Sequence, residues 1–127
     1  GFADGFPLLI TNQASLDELN SRLANAVDMR RFRPNVVISG AEAWSEDGWQ
    51  SITVGETRFA VAKPCSRCVM TTVDPDTGLK DPDTEPLRTL SRYRKTGDGV
   101  IFGQNVVHQS GGRLSVGDAV VISQQES

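Results

Sequence analysis

Regular patterning begins at "PLLITNQ", where apolar residues crowd into a short run that predicts a strand. The next stretch, "SLDELNSRLANA", has a longer period. Leu16, Leu19 and Leu23 share one helical face, and Ser15 with Glu18 three residues on forms a capping box, so the spacing predicts a helix over 15–26. From Asn35 the period shortens. "NVVIS", "QSITV" and "TRFAVAK" read as strands, and Gly55-Glu56 between the last two suits a two-residue hairpin. "VMTTV" reads as one more strand, ended by the turn-rich "DPDTGLKDPDTE". Pro86 fits the first turn of a second helix, "PLRTLSRYR", in which Leu87, Leu90 and Arg94 recur at helical spacing. Strands return in "VIFGQNVVHQ", "RLSV" and "AVVIS", punctuated by Gly111-Gly112 and Gly117-Asp118.

Six to eight short strands with two helices point to a mainly β or α+β fold. The expected architecture is a β-barrel of short, mostly antiparallel strands with two or three peripheral helices, not a doubly wound sheet. The 127 residues fit one domain, 1–127, and a chain of that size buries roughly 65–70% of its unfolded surface. Its longest apolar runs fall well short of the ~20 residues a membrane helix needs, so a soluble protein without a membrane segment is expected. Thirteen Lys and Arg against sixteen Asp and Glu leave a net charge of −3, which argues against nucleic acid or an anionic membrane as partner. With two cysteines and no visible signal or transit segment, a reducing cytoplasm is the default location. The opening "GFADGFP" lacks an initiator Met, so a piece of a longer protein is expected.

The chemistry concentrates in "KPCSRCVMTTVDPDTG", which holds both cysteines, Cys65 and Cys68. A structural zinc needs four N or S ligands. Beyond the pair only His108 is a soft candidate, so zinc within one chain is disfavoured while a site shared between two chains stays open. A thioredoxin-type pair needs its first cysteine at a helix N-terminus, and the β-branched run after Cys68 argues for a strand instead. Two buried, inert thiols are a third reading. Against that, Lys63 and Arg67 flank the cysteines with positive charge that favours a thiolate, a soft donor for a transition metal. Upstream, in "RRFRPN", Arg31 and Arg33 alternate with Phe32 as on an extended segment, which would put both guanidinium groups on one face, suited to phosphate. Asp74, Asp76, Asp81 and Asp83 lack the EF-hand order of ligands and read as solvated turns. His108 reads as a surface or edge residue, Trp44 and Trp49 as fasteners of the "SEDG" loop, and Asp118 as a turn residue.

Taken in order, "FRPNVVISG", "EDGW", "VGETRFAVAKPCSRCVMTTVDPDTG", "EPLRTLSRYR", "FGQN" and "VGDAVVI" resemble the MOSC domain from Asp4 to Ile122. The likeness is to the branch containing the mitochondrial amidoxime-reducing component and bacterial YcbX-type proteins. It implies a MOSC-type β-barrel and a molybdenum cofactor, a molybdopterin whose dithiolene sulfurs hold oxo-molybdenum and whose phosphate the protein grips. It also implies that Cys68 is the metal's protein ligand and catalytic residue, with Cys65 a neighbour, and that Arg33, Asn35 and Ser66 contact the cofactor. Arg31, Arg67 and Gln104 are added for charge or proximity, and Asn105 falls at a cofactor-side position. Gly5 and Phe6 replace residues that in relatives can offer hydroxyls to the phosphate.

The resemblance implies reduction of N-hydroxylated compounds, fed by an electron-donor protein or a ferredoxin-like domain. It further implies an N-terminal β-barrel region, absent from these residues, that completes the cofactor site. The alternative function is a non-catalytic sulfur-carrier or cofactor-delivery module, with pyridoxal phosphate as a ligand and Lys63 the nearest lysine.

Overall fold

The computed structural model describes residues 7–110 and 114–124. Seven strands form one sheet: β1 (Pro7–Asn12), β2 (Val36–Ile38), β3 (Trp49–Val54), β4 (Thr57–Arg67), β5 (Lys95–Thr96), β6 (Gly99–His108) and β7 (Val120–Gln124). The order is β2-β1-β6-β4-β3-β7, with β5 paired to the start of β6. Every pairing is antiparallel except β1 with β2. The two edges, β2 and β7, line the same 560 Å3 groove, so the sheet is curled into a half-barrel.

Two apolar clusters hold it. Inside the curl lie Leu8, Ile10, Ile38, Trp49, Ile52, Val54, Phe59 and Val106, each from a strand whose inward positions alternate with solvated ones or, in β6, lie buried on both faces. The second cluster packs α1 (Gln13–Ser21) and α2 (Leu87–Tyr93) against the near end of β6 through Leu16, Leu19, Leu90, Phe32 and Phe102. Phe32 and Phe102 stack with centroids 3.9 Å apart. Trp44 meets Phe102 edge-on, while Trp49 is buried within the curl, so the two tryptophans fasten the "SEDG" loop to different clusters.

The hairpin at Gly55-Glu56 and the second helix form as the pattern predicts. Other elements differ. Helix α1 starts earlier and ends at Ser21, because the Asn12 side chain accepts from Ala14 N–H and takes the cap. Ser15, the expected cap, is buried and donates instead to Glu46 at 2.6 Å. "VMTT" is a 3-10 turn, Val69–Thr72, not a strand, since Thr71 and Thr72 hydroxyls bond back to the carbonyls of Cys68 and Val69. "RRFR" is not extended either: Met29–Phe32 is a 3-10 turn capped by Asp28, and Arg33 leaves it in the left-handed region at φ 53°. Of "RLSV", Arg113 lies outside the described residues with Gly111 and Gly112, and Leu114–Val116 form no strand. His108 is buried, edge-on to Phe59, rather than at the surface.

Candidate functional site

Strand β6 is the axle of the site because it pairs with β1, β4 and β5. Its "FGQN" segment crosses β1 so closely that a Cβ at Gly103 would lie 3.0 Å from the Ile10 carbonyl, and Gly103 sits at φ +87°. Only glycine serves both demands without strain. Beside it, β4 carries Cys65, Ser66 and Arg67 to the sheet's end, where pairing irregularities between Pro64 and Ser66 re-aim the side chains.

Cys65 is half-buried on β4, and Cys68 is exposed at the head of the 3-10 turn. Thr71 holds that turn twice, its N–H and its hydroxyl both donating to the Cys68 carbonyl at 3.1 and 3.0 Å. The backbone of Cys68 is thereby fixed while its sulfur stays open to solvent.

Arg67 joins the three motifs. Its Nε donates to the Phe102 carbonyl of "FGQN" at 2.9 Å, and its Nη1 donates to the Phe32 carbonyl of "RRFR" at 2.9 Å. The guanidinium also lies 5.3 Å over the Phe32 ring. It pairs with no carboxylate among the described residues, and Nη2 is buried there without a hydrogen-bond partner. Burial pulls its pKa below the ordinary arginine value, while the Cys65 and Cys68 sulfurs push it back up. A cation taken out of water with one N–H unspent favours an anion at hand.

The remaining expected residues divide. Arg31 reaches the Thr71 carbonyl at 3.5 Å, which ties "RRFR" to the cysteine turn. Arg33 projects into solvent from its left-handed backbone, a conformation that the following Pro34 makes costlier still. Asn35 is held to β1, its N–H donating to the Leu9 carbonyl at 2.9 Å and its Oδ1 accepting from Leu9 N–H at 2.8 Å. Ser66 and Asn105 share a recess with Cys65. Gln104 does not join them. It is buried, and its Nε2 donates to Asp47 at 3.3 Å, the carboxylate that Arg94 grips at 2.7 and 2.8 Å. Gly5 and Phe6 lie outside the described residues.

Sequence reasoning missed Thr71 and Thr72, although paired threonines after a strand end are a known source of side chain to backbone bonds. The acidic side chains cap their own turns: Asp74 Oδ1 accepts from Asp76 N–H at 2.8 Å, and Asp81 Oδ2 from Asp83 N–H at 2.9 Å. Asp118 caps its own turn by accepting from Ser115 N–H at 2.8 Å. No described helix is long and apolar enough to cross a membrane.

Comparison with known proteins gives the family. The MOSC domain profile matches residues 1–121. The chain belongs to the MOSC domain family. Human mitochondrial amidoxime-reducing component 1 is 42% identical over 95% of this MOSC chain and 38% of its own length. Rat mitochondrial amidoxime reducing component 2 is 42% identical over 94% of the chain and 37% of its own length. The MOSC chain thus spans about 38% of the length of such relatives. Among solved structures, YiiM from Geobacillus stearothermophilus superposes with a TM-score of 0.63 over 92% of this chain and 54% of that one, at 14% identity, a likeness of fold alone.

Proposed function

We propose that this chain is the cofactor-holding MOSC unit of a molybdenum-dependent reductase of N-hydroxylated compounds, amidoximes and hydroxylamines among them. The observation that carries the reading is an exposed Cys68 next in sequence to the buried Arg67 guanidinium, which feels the charge of both cysteines and has no carboxylate partner among the described residues. A soft donor and a positive wall suit a molybdopterin, which is anionic at both its sulfur and its phosphate ends. Relatives named as amidoxime-reducing components, matched along nearly the whole chain, support the substrate class.

In this reading Cys68 holds the molybdenum and Cys65 stands by. Arg33 and Arg31 meet the phosphate end, Ser66 and Asn105 line the cofactor side, and Asn35 positions Arg33 by locking the backbone after Pro34 to β1. Gln104 acts from behind, through Asp47 and Arg94. Bound there, the cofactor supplies two-electron reduction of an N–O bond. The protein's own part is to keep the thiol facing outward and to offset the cofactor's charge, with no side chain needed as nucleophile. Residues 1–127 act as one MOSC domain, the C-terminal part of a longer protein. Its N-terminal region completes the site, and an electron-donor protein or ferredoxin-like domain delivers the electrons. The free thiols fit a reducing compartment such as the cytoplasm.

Metal analysis of the longer protein tests this. Cys68→Ala should lose most of its molybdenum and its benzamidoxime reduction, whereas Cys65→Ser should keep both. Full molybdenum and activity in Cys68→Ala would end the ligand assignment. The rival reading, a non-catalytic sulfur-carrier or cofactor-delivery module, would be favoured by a persulfide on either cysteine together with no N–O reduction by the metal-loaded protein.

A further inference from the structure

Helix α2 and the start of β5 spell "RTLSRYRK", Arg88 to Lys95, four cations with no carboxylate among them in a molecule of net charge −3. Thr89 and Leu90 are buried and Tyr93 packs against the second apolar cluster, so the helix turns Arg88, Ser91 and Arg92 outward. Arg88 and Arg92 stand one turn apart on that face, and exposed Lys95 follows at the start of β5. Arg94 is held by Asp47 and lies 4.1 Å over the Trp44 ring. The other three form no ion pair with any described residue. Just before the helix the sign reverses: the segment from Asp74 to Glu85 holds five carboxylates against one cation, Lys80. Helix α2 also packs against the 3-10 turn headed by Cys68. That turn exposes Val69 and Met70 at 45% and 49%. A cationic face, an apolar contact and the open thiol therefore lie on adjoining elements.

We infer that this face docks an acidic electron-carrier protein, the donor that feeds the reductase. The inference rests on the reductase reading above and gives the donor a place and a charge. Helix stability does not select the face. Like charges at i and i+4 destabilise a helix, and Arg88 in the first turn opposes the helix dipole that favours Arg92 in the last. Covering by an anionic partner removes both penalties. Complexes that pass electrons are small and transient, and charge mainly steers their encounter and fixes their orientation. Here the sign change at the start of α2 sets the orientation: an acidic rim is drawn to Arg88, Arg92 and Lys95 and turned away from the 74–85 carboxylates. A broad anionic membrane would meet those carboxylates as well, whereas a small protein covers the cationic face alone. Docked there, the donor stands beside the Cys68 turn. Each docking delivers one electron. Two dockings, with two protons from solvent, break one N–O bond and release its oxygen as water.

Isothermal titration of the metal-free longer protein with a plant-type ferredoxin, a small acidic one-electron carrier, tests the face without any cofactor. Arg88→Glu combined with Arg92→Glu should weaken binding about tenfold at about 0.1 M salt. The difference should fade towards about 1 M, as the Debye length falls from about 10 Å to about 3 Å. Asp83→Lys should bind more tightly than wild type, a gain that loosening of the fold would not give. Thermal melts confirm that each variant is folded. In the metal-loaded protein the double variant should lose ferredoxin-driven N–O reduction about as steeply, while keeping the rate driven by dithionite, which needs no docking face. Ferredoxin that fails to bind the wild type, or binds the double variant equally well, overturns the inference. So does a double variant that loses binding to phosphatidylserine vesicles with ferredoxin binding intact. The reductase reading fails separately, on absence of molybdenum and of dithionite-driven N–O reduction in the longer protein, whatever the titration returns.

Discussion

At the scale of single residues, the site depends on side chains with two duties. Arg67 satisfies the carbonyls of Phe32 and Phe102 and also confronts the cysteines with charge. Arg67→Lys keeps the charge but cannot span both carbonyls, so it should destabilise the fold by about 1–3 kcal/mol in urea denaturation, the usual cost of orphaned buried acceptors. Its charge was visible in the sequence, whereas its bracing role depends on two segments that only the fold brings near. Gly103 is the converse case, a residue needed for what it lacks. Gly103→Ala would force a methyl towards the Ile10 carbonyl at a positive φ, and a loss of about 1–3 kcal/mol is expected in the same experiment. The bidentate Arg30 to Asp76 pair is exposed on both sides and adds little beside these.

Among elements, the 3-10 turn after Cys68 and the 3-10 turn at Ser45–Gly48 set the site's shape. Thr71→Val removes the hydroxyl bond to the Cys68 carbonyl. A cost of about 1 kcal/mol is expected, and the molybdenum content of the longer protein should fall with it. The second turn buries Glu46, whose carboxylate accepts from Ser15 at 2.6 Å and Asn12 at 3.1 Å and forms no ion pair among the described residues. Burial raises its pKa above the ordinary 4.5. The folded state therefore favours the proton, and the contribution of Glu46 is full below the unfolded value and lost as pH rises through the folded one. In thermal melts the Tm difference between Glu46→Gln and wild type should move in the variant's favour from pH 4 to pH 7; a constant difference would contradict this. Strands with strong β-branched patterning were legible in the sequence, as were the hairpin and α2. Two of the misreadings share one cause. In "VMTT" and at the start of α1, Thr71, Thr72 and Asn12 used side-chain oxygens on nearby backbone, and local bonding overrode propensity. His108 was misplaced because its burial comes from Phe59 on the neighbouring strand, a contact far off in sequence.

As a whole, the molecule is a curled sheet whose central strand β6 collects residues from "RRFR", "CSRC" and "FGQN" at one end. Family membership was readable from those motifs. The recess that Lys63, Cys65 and Asp98 line was not, because Asp98 belongs to a turn that carries no motif and reaches the cysteine strand only through pairing of β5 with β6. The central claim is that the open sulfur on this frame, and not its half-buried neighbour, binds molybdenum. X-ray absorption at the molybdenum edge of the metal-loaded longer protein tests it most directly. The account predicts one sulfur neighbour more in wild type and in Cys65→Ser than in whatever metal Cys68→Ala retains. An unchanged sulfur count in Cys68→Ala, or a loss on Cys65→Ser instead, would contradict it.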